Sequence, residues 1–292
     1  MSQIGKEMKA LAKRAGGSHK TMHDRIRIAD RLSRHLLALN IQVRDVRHLK
    51  ARHIEDYIKQ RLTQGIALRT LHNEMSALRG IMVQAGRDKF FASDRLTNRA
   101  LGLAGASRAG TKFAIPADKY QQVLQKANQY DEGLAAALQL SRLMGLRSQE
   151  AVQCSASLCT WQKQLLNGDT RLTVVFGTKG GRPRETRVLD PQAVSFAVNH
   201  ALNIAEQRNG KLIDKTNLKM AMNYWRSTAT RLGLKGEVSP HSLRYAWAQD
   251  AIQYYLNLGF SRKEAHALTS MDLGHGDGRG RYVERVYSRK ED

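Results

Sequence analysis

Apolar side chains recur every three or four positions along most of this chain, a period that calls for helices rather than strands. Met22, Ile26, Ala29, Leu32, Leu36 and Leu39 form one such stripe, and Ser18 is placed to cap its helix. Ile54, Tyr57, Ile58 and Leu62 mark a second helix, and Leu71, Met75, Leu78, Met82 and Ala85 a third. Further helices are predicted around 119–127, 133–144, 193–205 and 218–232, and again after His241. One segment breaks the period. Leu172, Val174 and Phe176 alternate with Thr173 and Val175, GTKGGRP supplies a Gly-rich turn, and 186–189 returns as a second strand. The expected fold is mainly α, with a small antiparallel β-sheet in the C-terminal part.

The chain has 292 residues, which fits two domains of about 100–200 residues each. Residues 101–111, LGLAGASRAGT, are rich in small side chains and weakly patterned, as in a linker. The division expected is a helical domain over 1–105, a linker over 106–115 and a larger α-rich domain over 116–292.

Charge narrows the partner. There are 48 Lys and Arg against 26 Asp and Glu, a formal net charge of +22. Residues 1–110 carry 22 basic and 9 acidic side chains, so the N-terminal part is the denser. A field of this sign and spread attracts a polyanion, and nucleic acid is the expected partner. The faces opposite the apolar stripes carry Lys20, Arg25, Arg27, Arg31, Arg34, Arg69 and Arg79. Phosphate neutralisation by such faces dominates affinity for DNA. Lys20 and, near the start of the third predicted helix, Arg69, Thr70 and Asn73 are the candidate DNA contacts.

Other classes are disfavoured. Cys154 and Cys159 are five apart, neither a zinc-ligand pair nor a redox CxxC, and read as reduced thiols. No stretch reaches the roughly 18 apolar residues of a membrane span, and the first residues lack a signal-peptide core. A cytoplasmic protein with no membrane partner is expected. HExxH, DxDxDG and GxxxxGK[ST] are all absent, so neither metal nor nucleotide cofactor is expected.

Five short segments carry residues suited to chemistry. GLRSQEA places Arg147 and Glu150 three apart, and GTKGGRPR places Lys179 at a hairpin tip. PHSLRYAW puts His241 and Arg244 on one helix face. LGHGDGRGR sets His275 after a glycine suited to end a helix, and VERVYSR holds Tyr287 near the end of the sequence. Each is weak alone, since an arginine, a turn lysine or an HxxR pair is more often structural or solvated. Their order is more specific.

Arg, hairpin Lys, H-x-L-R, LGH and a late Tyr together resemble the tyrosine recombinase (phage-integrase) family. The resemblance covers roughly residues 113–292, and the basic helical N-terminal domain is similar to that family's core-binding domain. It implies a catalytic set of Arg147, Lys179, His241, Arg244, His275 and Tyr287, with Glu150 as a structural acid. It implies a site-specific recombinase or integrase that cuts and rejoins DNA through a 3′-phosphotyrosine bond, without metal or ATP. Its implied partners are a double-stranded recombination site, further copies of itself as a tetramer across two sites, and in some systems accessory DNA-bending proteins. The rival readings are a type IB topoisomerase and a catalytically dead DNA-binding regulator. The N-terminal domain weighs against the first, and the complete residue set against the second.

Three departures from the family pattern stand out. Tyr245 follows Arg244 where the family often has His. Tyr287 lies twelve positions after His275, about three more than is usual, which leaves Tyr282 as an alternative nucleophile. Tyr287 is preferred because Val286 supplies the aliphatic residue that commonly precedes the family's tyrosine, and GDGRGR reads as the extra loop. The tail after Tyr287, SRKED, is short where many relatives carry a segment that docks on a neighbour.

Within that resemblance each residue type suits a task. Arg147 and Arg244 are guanidiniums that stay charged and grip phosphate oxygens through fixed forks. His241 and His275 can donate hydrogen bonds or move protons. Lys179 is assigned as the acid that protonates the leaving 5′-oxygen, with Lys112 or His241 next in line. Tyr287 is the covalent nucleophile.

Overall fold

The structure, a computed structural model, describes residues 2–107 and 109–288. The chain forms two compact units, Met1–Ser107 and Arg108–Asp292. Among the described residues, no helix is long and apolar enough to cross a membrane.

The first unit is built from α1 (Gln3–Arg14), α2 (His19–Ala38), α3 (Ala51–Thr63) and α4 (Leu68–Gln84). Ser18 caps α2 as predicted, its side chain accepting from the Thr21 N–H. α1 was not foreseen from the apolar stripes, yet Ile4, Met8 and Leu11 bury one of its faces against α2 and α4. Gly5 makes the crossing with α2 possible, since a Cβ there would fall 2.6 Å from Ser33 Oγ. Leu32, Leu36, Ile54, Tyr57, Leu71, Met75 and Leu78 complete the core, while Leu39, at the end of the predicted stripe, is exposed. Leu101 and Leu103 pack into the same core, so the first residues of the glycine-rich stretch belong to this unit rather than to a free linker.

Two arginines of the expected basic face have internal work instead. Arg25 donates to the carbonyls of Ala12 (3.1 Å) and Gly16 (2.9 Å). Arg31 pairs with Glu74, a carboxylate 1% exposed that also takes Arg61 (2.8 Å) and the Tyr57 hydroxyl (2.6 Å). A buried carboxylate requires such partners. Lys20, Arg69, Thr70 and Asn73 remain on the surface. Lys20 pairs with Asp24 at 2.7 Å, and Arg69 donates to the Ser107 carbonyl at 3.0 Å.

The second unit contains α5 (Ala117–Tyr130), α6 (Glu132–Met144), α7 (Ser148–Gln153), α8 (Leu158–Leu166), β1 (Arg171–Val174), β2 (Arg184–Arg187), α9 (Pro191–Glu206), α10 (Leu218–Arg231), α11 (Pro240–Asn257), α12 (Arg262–Asp272) and α13 (Gly280–Tyr287). Its core gathers Leu134, Leu138, Leu146, Trp161, Val174, Val198, Trp225 and Leu243. A second cluster, with Trp247, Tyr255, Leu273, Val283 and Tyr287, lies between α11, α12 and α13.

The sheet is the predicted hairpin, with a shifted frame. β1 and β2 are antiparallel, with Leu172 opposite Thr186 and Val174 opposite Arg184. The first strand stops at Val174, leaving Val175 and Phe176 exposed. The stop has a cause at Gly177 (φ +74°), where a Cβ would fall 2.4 Å from the Gln149 carbonyl oxygen and only glycine fits. The return strand begins at Arg184, two residues earlier than the apolar alternation indicated. Cys154 is buried, Cys159 is exposed, and neither is in a disulfide.

Candidate active site

Local rules explain how each segment presents its residue. α6 ends at Gly145 in the left-handed conformation (φ +59°), and the chain turns so that Arg147 precedes α7. Glu150 reaches back to the Arg147 N–H at 2.8 Å, a capping arrangement that fixes the turn. Lys179 opens a short helical turn at the hairpin tip and is exposed. Pro240 starts α11, so His241 and Arg244 fall in its first turns. α12 gives way at Gly274 (φ +65°), as its place before His275 foreshadowed. α13 carries Tyr287 as its last residue.

These segments converge on one cleft of about 1030 Å³, whose walls include Arg147, Lys179, His241, His275, Tyr282 and Tyr287. Tyr287 is 1% exposed. Its hydroxyl lies 3.1 Å from His275 Nε2, and its ring is 6.4 Å from that of His241 and 4.5 Å from that of Tyr245, centre to centre. Tyr245, where the family often has His, therefore packs directly on Tyr287. Tyr282 also borders the cleft, with its ring 4.9 Å from that of His275. Among the tail residues only Ser288 is described, so the expectation about the tail lies outside the described residues.

Arg244 is placed differently from a cleft wall. It is fully buried, and it donates to the carbonyls of Gly145 and Leu273. Arg147 donates to the same Leu273 carbonyl at 2.9 Å, so the two guanidiniums are neighbours, one open to the cleft and one behind it. Arg244 Nε has no hydrogen-bond partner among the described residues.

Beneath the cleft lies a carboxylate shared by arginines. Glu150 accepts from Arg147 at 2.6 Å and from Arg184 at 2.7 Å and 3.2 Å, with Arg244 3.8 Å away. Burial pushes this carboxyl up, but Arg184, Arg244 and Arg147 outweigh it and hold it at about 2. Burial lowers Arg244 to about 10. Burial, followed by the charges of Arg244 and Arg147, lowers His241 to about 4 and His275 to about 3. Both imidazoles are therefore neutral at neutral pH, and each has one nitrogen able to accept a proton.

Several residues of this region were not singled out from sequence. Arg184, 7% exposed, and Asp272, fully buried, brace it from below. Asp272 pairs with Arg171 and accepts from the Tyr255 hydroxyl at 2.6 Å. Arg182 and Arg279 add positive charge to the cleft wall. Arg184 had a legible signal, because strand alternation puts it on the same face as Thr186. Asp272 had none. Lys112, the alternative acid, donates to the Gly236 carbonyl.

Comparison with known proteins identifies the family. Residues 102–250, just over half the chain, match the family model described as integrase, and residues 1–91 match the phage integrase N-terminal model. The first match includes Arg147, Lys179, His241 and Arg244 and ends before His275 and Tyr287. No curated protein sequence matches the chain. Among solved structures, a lambda integrase tetramer bound to a Holliday junction superposes with a TM-score of 0.61 at 18% identity, over 99% of this chain and 78% of that one. The Tn1549 transposon integrase in complex with a circular intermediate DNA superposes with a TM-score of 0.67 at 14% identity, over 100% and 96%. With both segments matched to phage-integrase models and the fold shared along the chain, this protein belongs to the tyrosine recombinase (phage-integrase) family of site-specific DNA recombinases.

Proposed function

We propose that this chain cuts and rejoins duplex DNA at a specific site through a covalent bond between Tyr287 and a DNA 3′-phosphate. The observation that carries the reading is the Tyr287 hydroxyl held 3.1 Å from a neutral His275, in a cleft also lined by Arg147, Lys179 and His241. Tyr287 Oη attacks phosphorus, and its proton passes to His275 Nε2, whose basicity rises once the anionic phosphate enters beside Arg147 and offsets the arginine charges that depress it. The bond from phosphorus to the 5′-oxygen breaks, and Lys179 supplies the proton that this oxygen needs. Arg147 and the donors behind it stabilise the charge that builds on the non-bridging oxygens. Arg244, buried behind Arg147, adds its charge to the field on those oxygens, and its Nε is left without a partner among the described residues. The phosphotyrosine keeps the energy of the phosphodiester, so rejoining is the reverse reaction and needs no ATP. No step in the scheme calls for a metal ion.

The substrate in this reading is a double-stranded recombination site. Exposed Lys20, Arg69, Thr70 and Asn73 of the first unit are assigned to DNA contact. Four copies act across two sites, on the precedent of the lambda integrase tetramer bound to a Holliday junction. The test is a nicked suicide duplex that releases its 5′ fragment. A protein–DNA adduct that survives denaturation is expected with the wild-type chain, unchanged in excess EDTA, and absent with Tyr287→Phe. An adduct that persists in Tyr287→Phe removes the tyrosine assignment, and a requirement for Mg²⁺ removes the metal-free scheme.

A further inference from the structure

Lys179 stands on an exposed turn, and a general acid needs a fixed position. Something must hold the hairpin to the rest of the site. On the β1 side, Gly177 packs on the backbone of Gln149 and Glu150, and Arg171 pairs with Asp272. On the β2 side the tie is Arg184.

The guanidinium of Arg184 spreads over three different elements. Nε and one terminal nitrogen grip both oxygens of Glu150, on α7, at 3.2 Å and 2.7 Å. The other terminal nitrogen donates to the Asp272 carbonyl, at the end of α12, at 2.7 Å. A further contact reaches the Gly145 carbonyl, after α6, at 3.3 Å. Each acceptor is next to catalytic machinery. Glu150 holds Arg147, the Gly145 carbonyl also takes Arg244, and Asp272 precedes the Leu273 carbonyl that Arg147 and Arg244 share. Arg184 therefore connects the strand that follows Lys179 to the frame of both site arginines. Its side chain is 4% exposed and its forks are occupied, so it has little to offer a DNA phosphate directly.

We propose that Arg184 is a positioning residue for strand cleavage, acting through Lys179 by fixing the hairpin against Glu150 and the Asp272 carbonyl. The proposal rests on the reading of Lys179 as the general acid. A lysine at this position keeps the charge but not the planar fork that spans several acceptors. Arg147 would keep its own contacts to Glu150 and Leu273 without Arg184, so the hairpin is what loses its hold.

The experiment measures adduct formation on duplexes carrying either the normal 5′-oxygen or sulfur at the scissile bridging position. A thiolate leaves with little help from an acid (a free thiol titrates at about 8.5). Arg184→Gln is expected to bind the duplex within twofold of wild type and to cleave the oxygen substrate tenfold or more slowly. It should cleave the sulfur substrate within about threefold of the wild-type rate. Adding Arg184→Gln to Lys179→Ala should slow the oxygen substrate no further, because two changes on one path do not multiply. Arg184→Lys, with the buried charge kept, replaces Arg184→Gln in every arm if the latter does not fold. Equal loss on both substrates, multiplicative loss in the double variant, or no loss at all overturns the positioning role. Lys179→Ala run alone separates the premises. If sulfur rescues Lys179→Ala but not the Arg184 variant, only the positioning role falls. If sulfur fails to rescue Lys179→Ala, the acid assignment falls and this proposal with it.

Discussion

His275 Nε2 and Tyr287 Oη face each other at 3.1 Å, although they are twelve positions apart and Tyr287 stands at the far end of α13. The longer spacing is accommodated by the loop 276–279, which returns the chain so that α13 packs along α12. Tyr282 meets the His275 ring edge-on, with ring centres 4.9 Å apart, while the hydrogen bond to Nε2 is made by Tyr287. Tyr282→Phe is therefore expected to form adduct within about threefold of the wild-type rate. His275→Ala should slow adduct formation by roughly 10²–10⁴-fold, the usual span for a positioned proton acceptor. A suicide-substrate time course checks both, and loss of adduct in Tyr282→Phe alone would move the nucleophile.

Acid should destabilise the fold in a defined window. His241 and His275 titrate at about 4 and 3 in the folded chain and near 6.5 when unfolded. As pH falls below 6.5 the unfolded chain takes up protons first, so their share of stability declines down to the folded values. Glu150, held at about 2, adds a loss that begins below its ordinary value of 4.5. The melting temperature should fall steadily from pH 7 to pH 4, and His275→Gln should flatten that slope. A melting temperature independent of pH over this range would contradict the burial of both imidazoles.

Glu150→Gln tests the arginine frame. The substitution leaves Arg184 and Arg244 buried beside a neutral amide, and breaking such a buried pair costs about 3–5 kcal/mol. Urea unfolding should show a loss of that size. A loss under 1 kcal/mol would mean that solvent reaches these charges.

In the first unit, arginines of similar appearance should separate into two kinds. Arg69→Ala should weaken duplex binding about tenfold and reduce the salt slope of log K by about 0.9, with the melting temperature only slightly lowered by loss of its exposed hydrogen bond to the Ser107 carbonyl. Arg31→Ala should lower the melting temperature instead, because Glu74 is 1% exposed and depends on its partners. Binding isotherms at several salt concentrations, beside thermal melts, check both. A melt unchanged in Arg31→Ala would return that residue to the DNA-facing set.

Local pattern carried much of this molecule. The apolar stripes located α2, α3 and α4, Ser18 announced its cap, and alternation around GTKGGRP announced the hairpin, because these features depend on neighbours a few residues apart. The ordered motifs indicated the family for the same reason, each motif being short and contiguous. Residues whose role depends on distant partners were not legible. Arg31 looks like its neighbour Arg34 in the sequence, and only the packing of α4 puts Glu74 within reach of it, 43 positions away. Arg147 and Arg244 become neighbours through the Leu273 carbonyl, 126 and 29 positions from them. Arg184 meets Asp272 across 88 positions. The sequence by itself determined that the strongly striped segments, α2, α3 and α4 among them, would be helices, where the hairpin would turn and which residue types were available for chemistry. Tertiary structure alone decided which charges are buried and paired and which face the cleft, because a buried charge is set by the polar atoms that packing brings around it.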